Sequence, residues 1–511
     1  MIWQKLGLAL LSGLLLFLSF PKFGSGIFAW IALVPLLRSL KGISPNAALA
    51  QGFTAGIVYN IGIVYWVTYV IANYGDLPFY ASVLAMVLLA SALSCYVALF
   101  AAGTAWMKKR GIPEFLSAPV LWTGIEFAKG YLFTGFPWEN LAYSQHAFPL
   151  FIQITDTTGT YGLSFLIVLV NAAVLDLLFS GATRRRVLAQ TAVTVLLVAG
   201  TAVYGYIRQG EIDRIAAAGE ERTVALIQGN IDQSIKWNPE FQEETLEIYR
   251  ELSLAAIRTN PSPELIVWPE TATPFFFQNE DQRQRRITDI SIVGKSHLLL
   301  GSPSFRREGG MENCQNSAFM VSPDGRITGR YDKVHLVPFG EYVPLRESCP
   351  ILTKIVAGVG DFLPGSGFNP LQMGPLRAGV LICYEAVFPD IGAAYARAGA
   401  QFFINITNDA WFGRTSAPYQ HLTMAAFRAV ENRRYLVRAA NTGISAVIGP
   451  TGTIESASGL FERTVLKGRF RAMSVKTFYT EYGDVFAYAC LAFIFVLGIR
   501  AIFFRKGRKY V

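Results

Sequence analysis

Long apolar runs fill the first 208 residues, and one further apolar run lies near the end of the chain. A helix that crosses a membrane needs about 20 mainly apolar residues. The pattern therefore predicts a membrane α-helical bundle of about eight transmembrane helices, the first two of them short. The predicted spans lie near residues 6–20, 26–38, 47–71, 79–107, 114–131, 161–180, 187–207 and 484–504. Seven spans fall within 1–212, and the eighth is the C-terminal helix 484–504.

Residues 220–475 show a different pattern, in which polar helical segments alternate with short apolar strands. Such interleaving indicates a layered α/β domain, with sheets inside and helices outside. The predicted strands are 224–228, 265–268, 297–301, 316–322, 327–331, 378–383, 402–407 and 444–448. The predicted helices are 239–259, 280–296, 384–399 and 418–438.

Composition supports the membrane interpretation. The 511 residues are 52% hydrophobic and only 16% charged, against about 25% charged in an average soluble domain. The four histidines form no HExxH motif, and the five cysteines form no CxxC pair. Since zinc sites need such clusters, we expect no metal and no cofactor. We also expect no nucleic-acid partner.

The basic residues predict how the chain is oriented. They are concentrated in alternate loops and in the tail, namely Arg38 and Lys41, Lys108–Arg110, Arg184–Arg186, and Arg505 to Lys509. Because positive residues stay on the cytoplasmic side of a membrane, both termini are expected in the cytoplasm. With seven spans before it, the 220–475 domain is then expected on the outer side.

Two features of the predicted bundle have more than one interpretation. Glu126 and Lys129 lie near the outer end of a span, where ionisable groups are often functional, although a structural ion pair on one helix face is an alternative. The aromatic loop Phe133–Gly159 either dips into the membrane interface or caps the bundle.

Three reactive side chains follow predicted strands of the α/β domain: Glu270, Lys333 and Cys383. Catalytic groups in α/β sheets tend to lie just beyond strand ends. Cys383 is expected at a helix N-terminus, which lowers the pKa of a thiol. A carboxylate can act as general base for the thiol, and an ammonium can stabilise an oxyanion. Each residue alone is more often a core thiol or a surface charge.

The short sequence motifs around these three residues favour a catalytic role over a purely structural one. They are Trp268-Pro269-Glu270, the run from Tyr331 to Glu341, Cys383-Tyr384-Glu385, and Asn408-Asp409-Ala410-Trp411. In this order they resemble the nitrilase superfamily, whose fold is an α-β-β-α sandwich. The run Lys333–Pro344, Gln228-Gly229-Asn230, Lys236-Trp237 and the flanking spans resemble its membrane-bound branch, the apolipoprotein N-acyltransferase family.

The resemblance implies a Glu–Lys–Cys triad with Glu270 as general base, Lys333 as the lysine and Cys383 as the nucleophile. It also assigns supporting or substrate-binding roles to Trp237, Glu341, Tyr384 and Glu385. We expect Glu341 and Glu385 to orient Lys333 and the thiol, with direct proton transfer as the alternative. Trp237 is expected in a lid or against substrate. His335 is expected to be structural rather than a partner of the thiol.

The implied reaction transfers an acyl group between two lipids in the final step of bacterial lipoprotein maturation. Cys383 takes the acyl chain from a phospholipid, typically phosphatidylethanolamine, as a thioester. The N-terminal S-diacylglyceryl-cysteine of an apolipoprotein then accepts it on its amino group. The implied location is the bacterial inner membrane, with a periplasmic catalytic domain. Apolar loops facing the bilayer are expected at 343–361 and at 275–277, and core packing is the alternative for 275–277.

Two other functions fit parts of the sequence. A membrane-tethered amidase or nitrilase would use the same triad on a small amide and transfer the acyl group to water. A transporter or scaffold would carry a degenerate domain, but the intact triad and the lack of internal repeats argue against it. A disulfide between Cys314 and Cys349 is an open possibility.

Overall fold

A computed structural model describes residues 2–75, 77–179, 181, 183–308, 311–343 and 362–503. The chain divides into two compact units. One contains residues 1–69, 77–209 and 482–511, and the other contains residues 70–76 and 210–481. The first is mostly helical, and the second contains all the strands among the described residues.

Up to residue 218, the described part of the chain forms nine α-helices, and all but the short α7 overlap the predicted apolar spans. They are α1 Ile2–Phe17, α2 Val34–Ser39, α3 Pro45–Val64, α4 Trp66–Tyr74, α5 Phe79–Lys109, α6 Glu114–Tyr131, α7 Pro149–Ile152, α8 Thr155–Phe179 and α9 Arg184–Ala218. The C-terminal helix is Val485–Phe503. Within the described residues, five helices are long and apolar enough to cross a membrane, namely α3, α5, α8, α9 and Val485–Phe503.

Two predicted spans differ from the structure, and the break in a third helix agrees with the prediction. The segment 26–38 is not one helix, because a 3₁₀ turn at Gly26–Trp30 precedes the short α2. The span 47–71 is interrupted at Tyr65, between α3 and α4. In α8, by contrast, Gly159 has non-helical dihedral angles of φ 62° and ψ −171°, so the regular helix begins after it, in agreement with the predicted span 161–180. Counting spans by hydropathy does not detect the first two of these breaks, and the total of eight remains a prediction.

Glu126 and Lys129 of α6 do not form the direct ion pair that one interpretation predicts. Glu126 accepts a hydrogen bond from the Leu141 backbone N–H at 2.6 Å, and Lys129 donates to the Trp138 carbonyl at 3.1 Å. Both side chains therefore hold the loop Phe133–Gly159. Within this loop Trp138 and the 3₁₀ turn Leu141–Gln145 are buried in the helical unit.

The second unit is built on two six-stranded sheets. The first has the strand order β12-β1-β2-β3-β4-β5, and the second has the order β11-β10-β9-β8-β7-β6. The strands of the first sheet are β1 Glu221–Gln228, β2 Leu265–Val267, β3 His297–Glu308, β4 Met311–Val321, β5 Ile327–Asp332 and β12 Thr464–Arg471. Those of the second are β6 Leu371–Met373, β7 Leu376–Ile382, β8 Phe402–Thr407, β9 Leu436–Ala440, β10 Ala446–Ile448 and β11 Ile454–Ala457.

Each sheet has a parallel centre and antiparallel edges. Strands β1, β2 and β3 run parallel, as do β7, β8 and β9. The outer pairs β1–β12, β3–β4, β4–β5, β6–β7, β9–β10 and β10–β11 are antiparallel. Because the parallel strands of one sheet point the same way, the loops after their last residues lie along one edge.

Helices cover the sheets. Helices α10 Gln242–Ile257 and α11 Gln282–Gly294 pack on the first sheet, in a core that contains Trp268, Tyr249 and Ile287. Helices α12 Pro389–Arg397 and α13 Ala417–Asn432 pack on the second sheet, against β7 and β9. Strands of the two sheets also contact each other. The predicted α-β-β-α sandwich is confirmed.

The sequence pattern was wrong at several boundaries. The predicted helix 418–438 ends at Asn432, where Arg433 takes a left-handed conformation of φ 51°, and the buried strand β9 begins at Leu436. The predicted helix 384–399 is a 3₁₀ turn, Cys383–Val387, followed by α12, which starts at Pro389. The short or exposed strands β6, β11 and β12 were not predicted.

Two further helices follow the strands: α14 lies in the second unit except for its last residue, and α15 belongs to the helical unit. Helix α14, Phe478–Tyr482, ends at the boundary between the units, and α15 is the C-terminal helix Val485–Phe503.

Candidate active site

Glu270, Lys333 and Cys383 each follow a strand by one to three residues. Glu270 comes after β2, Lys333 directly after β5, and Cys383 directly after β7. The structure brings the three together: Lys333 Nζ lies 3.4 Å from Glu270 Oε1, and both charged groups are close enough to act on the Cys383 thiol. The first two belong to one sheet and the third to the other, so the site lies where the two sheets meet.

The Glu270 carboxylate is fixed by hydrogen bonds at both oxygens. Oε1 accepts from Asn316 Nδ2 at 2.7 Å and from Lys333 Nζ at 3.4 Å, while Oε2 accepts from the Asn408 backbone N–H at 2.9 Å. The chain turns sharply here, since Thr271 has a positive φ of 45°. Gly301 of β3 allows this turn to pass close by: a Cβ there would lie 2.5 Å from the Pro269 carbonyl oxygen.

Lys333 lies between two carboxylates. Its ammonium donates to Glu341 Oε1 at 2.9 Å and to Glu270 Oε1 at 3.4 Å. Burial by itself lowers the pKa of a lysine, but Glu341 and Glu270 outweigh burial, and the pKa of Lys333 is raised. Lys333 is therefore a permanent cation. An ammonium has three donors, and the third has no acceptor among the described residues.

Cys383 occupies a strained turn. It has a positive φ of 52° at the start of the 3₁₀ turn Cys383–Val387, a conformation that costs energy for a residue with a Cβ. The expectation of a lowered thiol pKa is wrong. Burial and the negative charge of Glu270 raise the pKa of the thiol, and the charge of Lys333 offsets this only in part. The one-turn 3₁₀ segment does not compensate for burial, so the resting nucleophile is a thiol next to a base.

Glu385 links the lysine segment to the cysteine turn. Its Oε1 accepts from the backbone N–H groups of Val334 and His335 at 2.8 and 3.1 Å, and its Oε2 accepts from the Ile382 N–H at 2.8 Å. The Tyr331 hydroxyl donates to Oε1 at 2.7 Å. Burial raises the pKa of Glu385 to about 7, against the lowering effect of these donors.

Glu341 performs a similar task for the lysine. Its Oε1 accepts from Lys333 Nζ and from Asn316 Nδ2, both at 2.9 Å, and its Oε2 accepts from the Val337 N–H at 2.8 Å. Asn316 thus bridges Glu341 and Glu270. The contacts fit the expectation that Glu341 and Glu385 orient the reacting groups.

The two aromatic residues expected at the site differ in exposure. Tyr384 follows the nucleophile and is buried, with its ring near those of Phe388 and His335. His335 packs closely on Phe388, with ring centroids 3.8 Å apart. Trp237 is 47% exposed, which is consistent with a side chain available to substrate.

Lys236 is a site residue that sequence reasoning missed. Its ammonium is buried and donates to Thr271 Oγ1 at 2.6 Å and to the Glu270 carbonyl at 3.3 Å. Burial lowers the pKa of Lys236 to about 8, although the nearby Glu270 carboxylate opposes the change. Through these two hydrogen bonds Lys236 links the segment that carries the exposed Trp237 to the backbone at Glu270 and Thr271. Its position next to Trp237, in the Lys236-Trp237 motif that carries the family resemblance, is the feature of the sequence that could have indicated it.

A second group of residues that the sequence analysis did not assign to the site contacts the backbone of the nucleophile. His421 of α13 places Nε2 3.0 Å from the Cys383 carbonyl and Nδ1 3.0 Å from Asp409 Oδ1. Arg438 of β9 donates to Asp409 Oδ2 at 2.7 Å. All three side chains are buried. Despite burial, Arg438 and His421 hold the pKa of Asp409 well below its usual range.

Other expectations have mixed outcomes. Phe275–Phe277 is not an apolar loop free to face a membrane, because Phe277 is fully buried against Phe319 and Phe275 packs on the same core. The loop 343–361 lies outside the described residues except for Val343, as does Cys349. Among the described part of the chain, no group of three or more His, Cys, Asp and Glu side chains is arranged to hold a metal ion.

Comparison with known proteins shows to which family the chain belongs. A family model described as apolipoprotein N-acyltransferase N-terminal domain matches residues 12–173, and one described as carbon-nitrogen hydrolase matches residues 223–477. An apolipoprotein N-acyltransferase from Geobacter metallireducens is 46% identical over 98% of this chain and 95% of its own length. The chain belongs to the apolipoprotein N-acyltransferase family. A second member, from Methylococcus capsulatus, is 32% identical over 98% of this chain and 96% of its own length.

Solved structures similar to the catalytic unit include an amidase from Nesterenkonia sp. It has 20% sequence identity and a TM-score of 0.39, and it covers 54% of this chain and 97% of the amidase. A carbon-nitrogen hydrolase from Helicobacter pylori has 17% identity and a TM-score of 0.38, covering 53% and 94% of the two chains. Family membership and the five long apolar helices together identify a membrane protein.

Proposed function

We propose that this protein transfers an acyl chain from a membrane phospholipid to the N-terminal S-diacylglyceryl-cysteine of apolipoproteins. The observation that carries the proposal is Cys383 with Glu270 and Lys333 in a chain whose relatives are apolipoprotein N-acyltransferases along nearly its full length. The triad supplies a nucleophile, a base and a cation, and the apolar helices keep the protein where both lipids reside. Moving acyl chains into water costs about 0.8 kcal/mol per CH₂.

The first step forms a thioester. Glu270 takes the proton from the Cys383 thiol as sulfur attacks the ester carbonyl carbon of the phospholipid. The resulting oxyanion is stabilised by the Lys333 ammonium, whose position Glu341 fixes at 2.9 Å. As the intermediate collapses, the ester C–O bond breaks and Glu270 gives its proton to the leaving oxygen. The products are the acylated cysteine and a lysophospholipid.

The second step forms the amide. The neutral α-amino group of the apolipoprotein cysteine attacks the thioester carbonyl carbon, and Glu270 accepts a proton from the attacking nitrogen. Lys333 stabilises the oxyanion again. The C–S bond breaks, and the departing sulfur takes the proton from Glu270, which restores the thiol and the carboxylate. The same base therefore serves both half-reactions.

The supporting residues take different parts in this scheme. Glu341 and Glu385 position Lys333 and the turn at Cys383 through the hydrogen bonds described above. Trp237 contacts lipid or closes over it, which its exposure permits. Tyr384, beside the nucleophile, lines the acyl-binding side of the site. Residues 220–475 form the catalytic domain, between the helices of 1–212 and the helix 484–504.

Phosphatidylethanolamine is the proposed acyl donor, and the bacterial inner membrane is the proposed location. The alternation of basic loops supports a multi-pass arrangement with both termini in the cytoplasm and a periplasmic catalytic domain.

Two measurements test the reaction. Full-length protein incubated with phosphatidylethanolamine labelled in its acyl chain should gain a label at Cys383 that Cys383→Ala abolishes and hydroxylamine releases. Mass spectrometry of an added diacylated lipoprotein should then show a third acyl group in amide linkage. Release of free fatty acid without acceptor acylation would favour the amidase alternative. Absence of any Cys383-bound label would contradict the thioester mechanism.

A further inference from the structure

The helical unit contains a cavity of about 320 Å³ that the proposed reaction does not use. It lies among α2, the end of α5, the start of α6, the end of α8 and the start of α9. Four cationic side chains line it: Arg38, Lys41, Lys108 and Arg186. None of them belongs to the unit that holds the catalytic triad. The volume is within the range of about 300–1,000 Å³ typical of small-ligand sites.

The charges that line this cavity do not balance. Among the described residues that line the cavity, two carboxylates face the four cations, Glu114 and Asp176, which leaves a formal excess of two positive charges. Lys108 pairs with Glu114 at 2.5 Å. Arg38, Lys41 and Arg186 have no carboxylate within 4.0 Å among residues 2–75, 77–179, 183–308, 311–343 and 362–503. An excess of cations around a cavity favours an anionic ligand.

Two of the cations are already oriented. The Arg38 guanidinium lies over the ring of Phe179, 3.8 Å from its centroid, and Lys41 Nζ lies 3.5 Å from the Phe179 carbonyl. Stacking leaves the edge of a guanidinium available for bidentate bonds to an oxyanion. Much of the remaining wall is apolar, with Leu37, Ile112 and Leu175. A ligand that combines an anion with hydrocarbon matches both parts.

We propose that this cavity binds the phosphate headgroup of an anionic phospholipid, as a site separate from that of the acyl donor. Basic pockets between membrane helices bind such headgroups. A free inorganic phosphate would satisfy the cations but would leave the apolar wall without a partner. The proposal does not depend on which side of the membrane the cavity faces.

The test uses full-length protein in detergent and compares lipids by native mass spectrometry and thermal stability. Dioleoylphosphatidylglycerol should bind the wild type and raise its melting temperature, whereas dioleoylphosphatidylcholine should do neither. The double variant Arg38→Gln/Arg186→Gln should bind phosphatidylglycerol about tenfold more weakly or worse, since each basic residue contributes to headgroup attraction. Arg38→Lys keeps the charge but not the planar fork, and an intermediate loss is expected.

Lys109→Gln/Arg185→Gln is the matched control. It removes two exposed charges next to Lys108 and Arg186, which line the cavity, but Lys109 and Arg185 do not line it themselves. It should bind phosphatidylglycerol like the wild type. Equal affinity of both double variants, or equal binding of phosphatidylcholine by the wild type, would overturn the proposal. Inorganic phosphate that stabilises the protein as much as phosphatidylglycerol would assign the cavity to a soluble anion instead. Formation of the Cys383 thioester by each variant shows that it is folded.

Discussion

At the scale of single residues, the resting state of the site is set by opposing effects on one sulfur atom. Burial and the Glu270 carboxylate keep the Cys383 thiol protonated, and Lys333 acts in the opposite direction. A nucleophile of this kind depends on its base at every turnover, because few thiolates exist before substrate arrives. This protonation state has a measurable consequence.

Alkylation of Cys383 by iodoacetamide should be slow at pH 7 and should still be rising with pH at pH 9, because the thiol pKa is raised. Glu270→Gln removes an anion and should move the pH profile of alkylation to lower pH, whereas Lys333→Met removes a cation and should move it to higher pH. Peptide mass spectrometry of Cys383 measures the rate. A wild-type profile that levels off near pH 8, or shifts of the same sign in both variants, would contradict this interpretation.

Lys236 should make the stability of the protein depend on pH. Burial lowers the pKa of Lys236 to about 8, while an unfolded lysine titrates near 10.4. Between these values the unfolded chain binds more protons, so the stability contribution of Lys236 rises with pH across this window. The difference corresponds to roughly 3 kcal/mol, at about 1.4 kcal/mol per pKa unit.

Lys236→Met lacks this titration, so the melting temperature of the wild type relative to the variant should increase from pH 8 to pH 10. The exposed Lys467→Met is the control and should follow the wild type at both pH values. A constant difference between the wild type and Lys236→Met would refute the assigned ionisation. Loss of acyl transfer in Lys236→Met, with rescue by Lys236→Arg, would support its positioning of Glu270.

At the scale of elements, the triad residues lie in the turns that follow the ends of strands β2, β5 and β7. The triad residues could be predicted, since Glu270, Lys333 and Cys383 each follow an apolar run that is recognisable in the sequence and forms a strand. The Asp409–His421–Arg438 group could not, because its members come from a turn, a helix and a strand that only the tertiary fold brings together. The strand β9 was read as helix because its sequence, Leu436–Ala440, is uniformly buried and lacks the alternation of a half-exposed strand.

Asp409→Asn should strongly destabilise the catalytic unit. The substitution leaves the fully buried Arg438 without its carboxylate, and breaking a buried ion pair costs about 3–5 kcal/mol. The control is Asp324→Asn, which removes an exposed pair with Arg326 and should change the melting temperature little, because water screens exposed pairs. Thermal unfolding of the full-length protein compares the two. Equal melting temperatures for both variants would show that the buried pair is not needed for stability.

At the scale of the whole molecule, the sequence predicts a two-part protein and the family supplies the same division, with models matching 12–173 and 223–477. Hydropathy locates the long helices well, because α3, α5, α8, α9 and α15 have long apolar stretches. It does not determine the number of crossings, since α1 and α2 are short and α6 contains charged residues.

The proposed orientation can be tested with impermeant maleimide on whole cells. In a variant with the exposed Cys95 replaced by serine, Lys467→Cys should be labelled once the outer membrane is permeabilised. Lys109→Cys, in a basic loop predicted to be cytoplasmic, should be labelled only after the inner membrane is broken. Labelling of both cysteines in intact spheroplasts would contradict the arrangement.

The protonated resting state of Cys383 also bears on the durability of the enzyme. Peroxides attack thiolates, and the sulfinic and sulfonic acids that follow are not recovered by simple thiols. In the proposed periplasmic location, which is an oxidising compartment, an activated thiolate would be consumed between encounters with lipid. A half-buried thiol with a raised pKa resists this damage. The arrangement that slows the uncatalysed reactivity of Cys383 thereby extends its working lifetime.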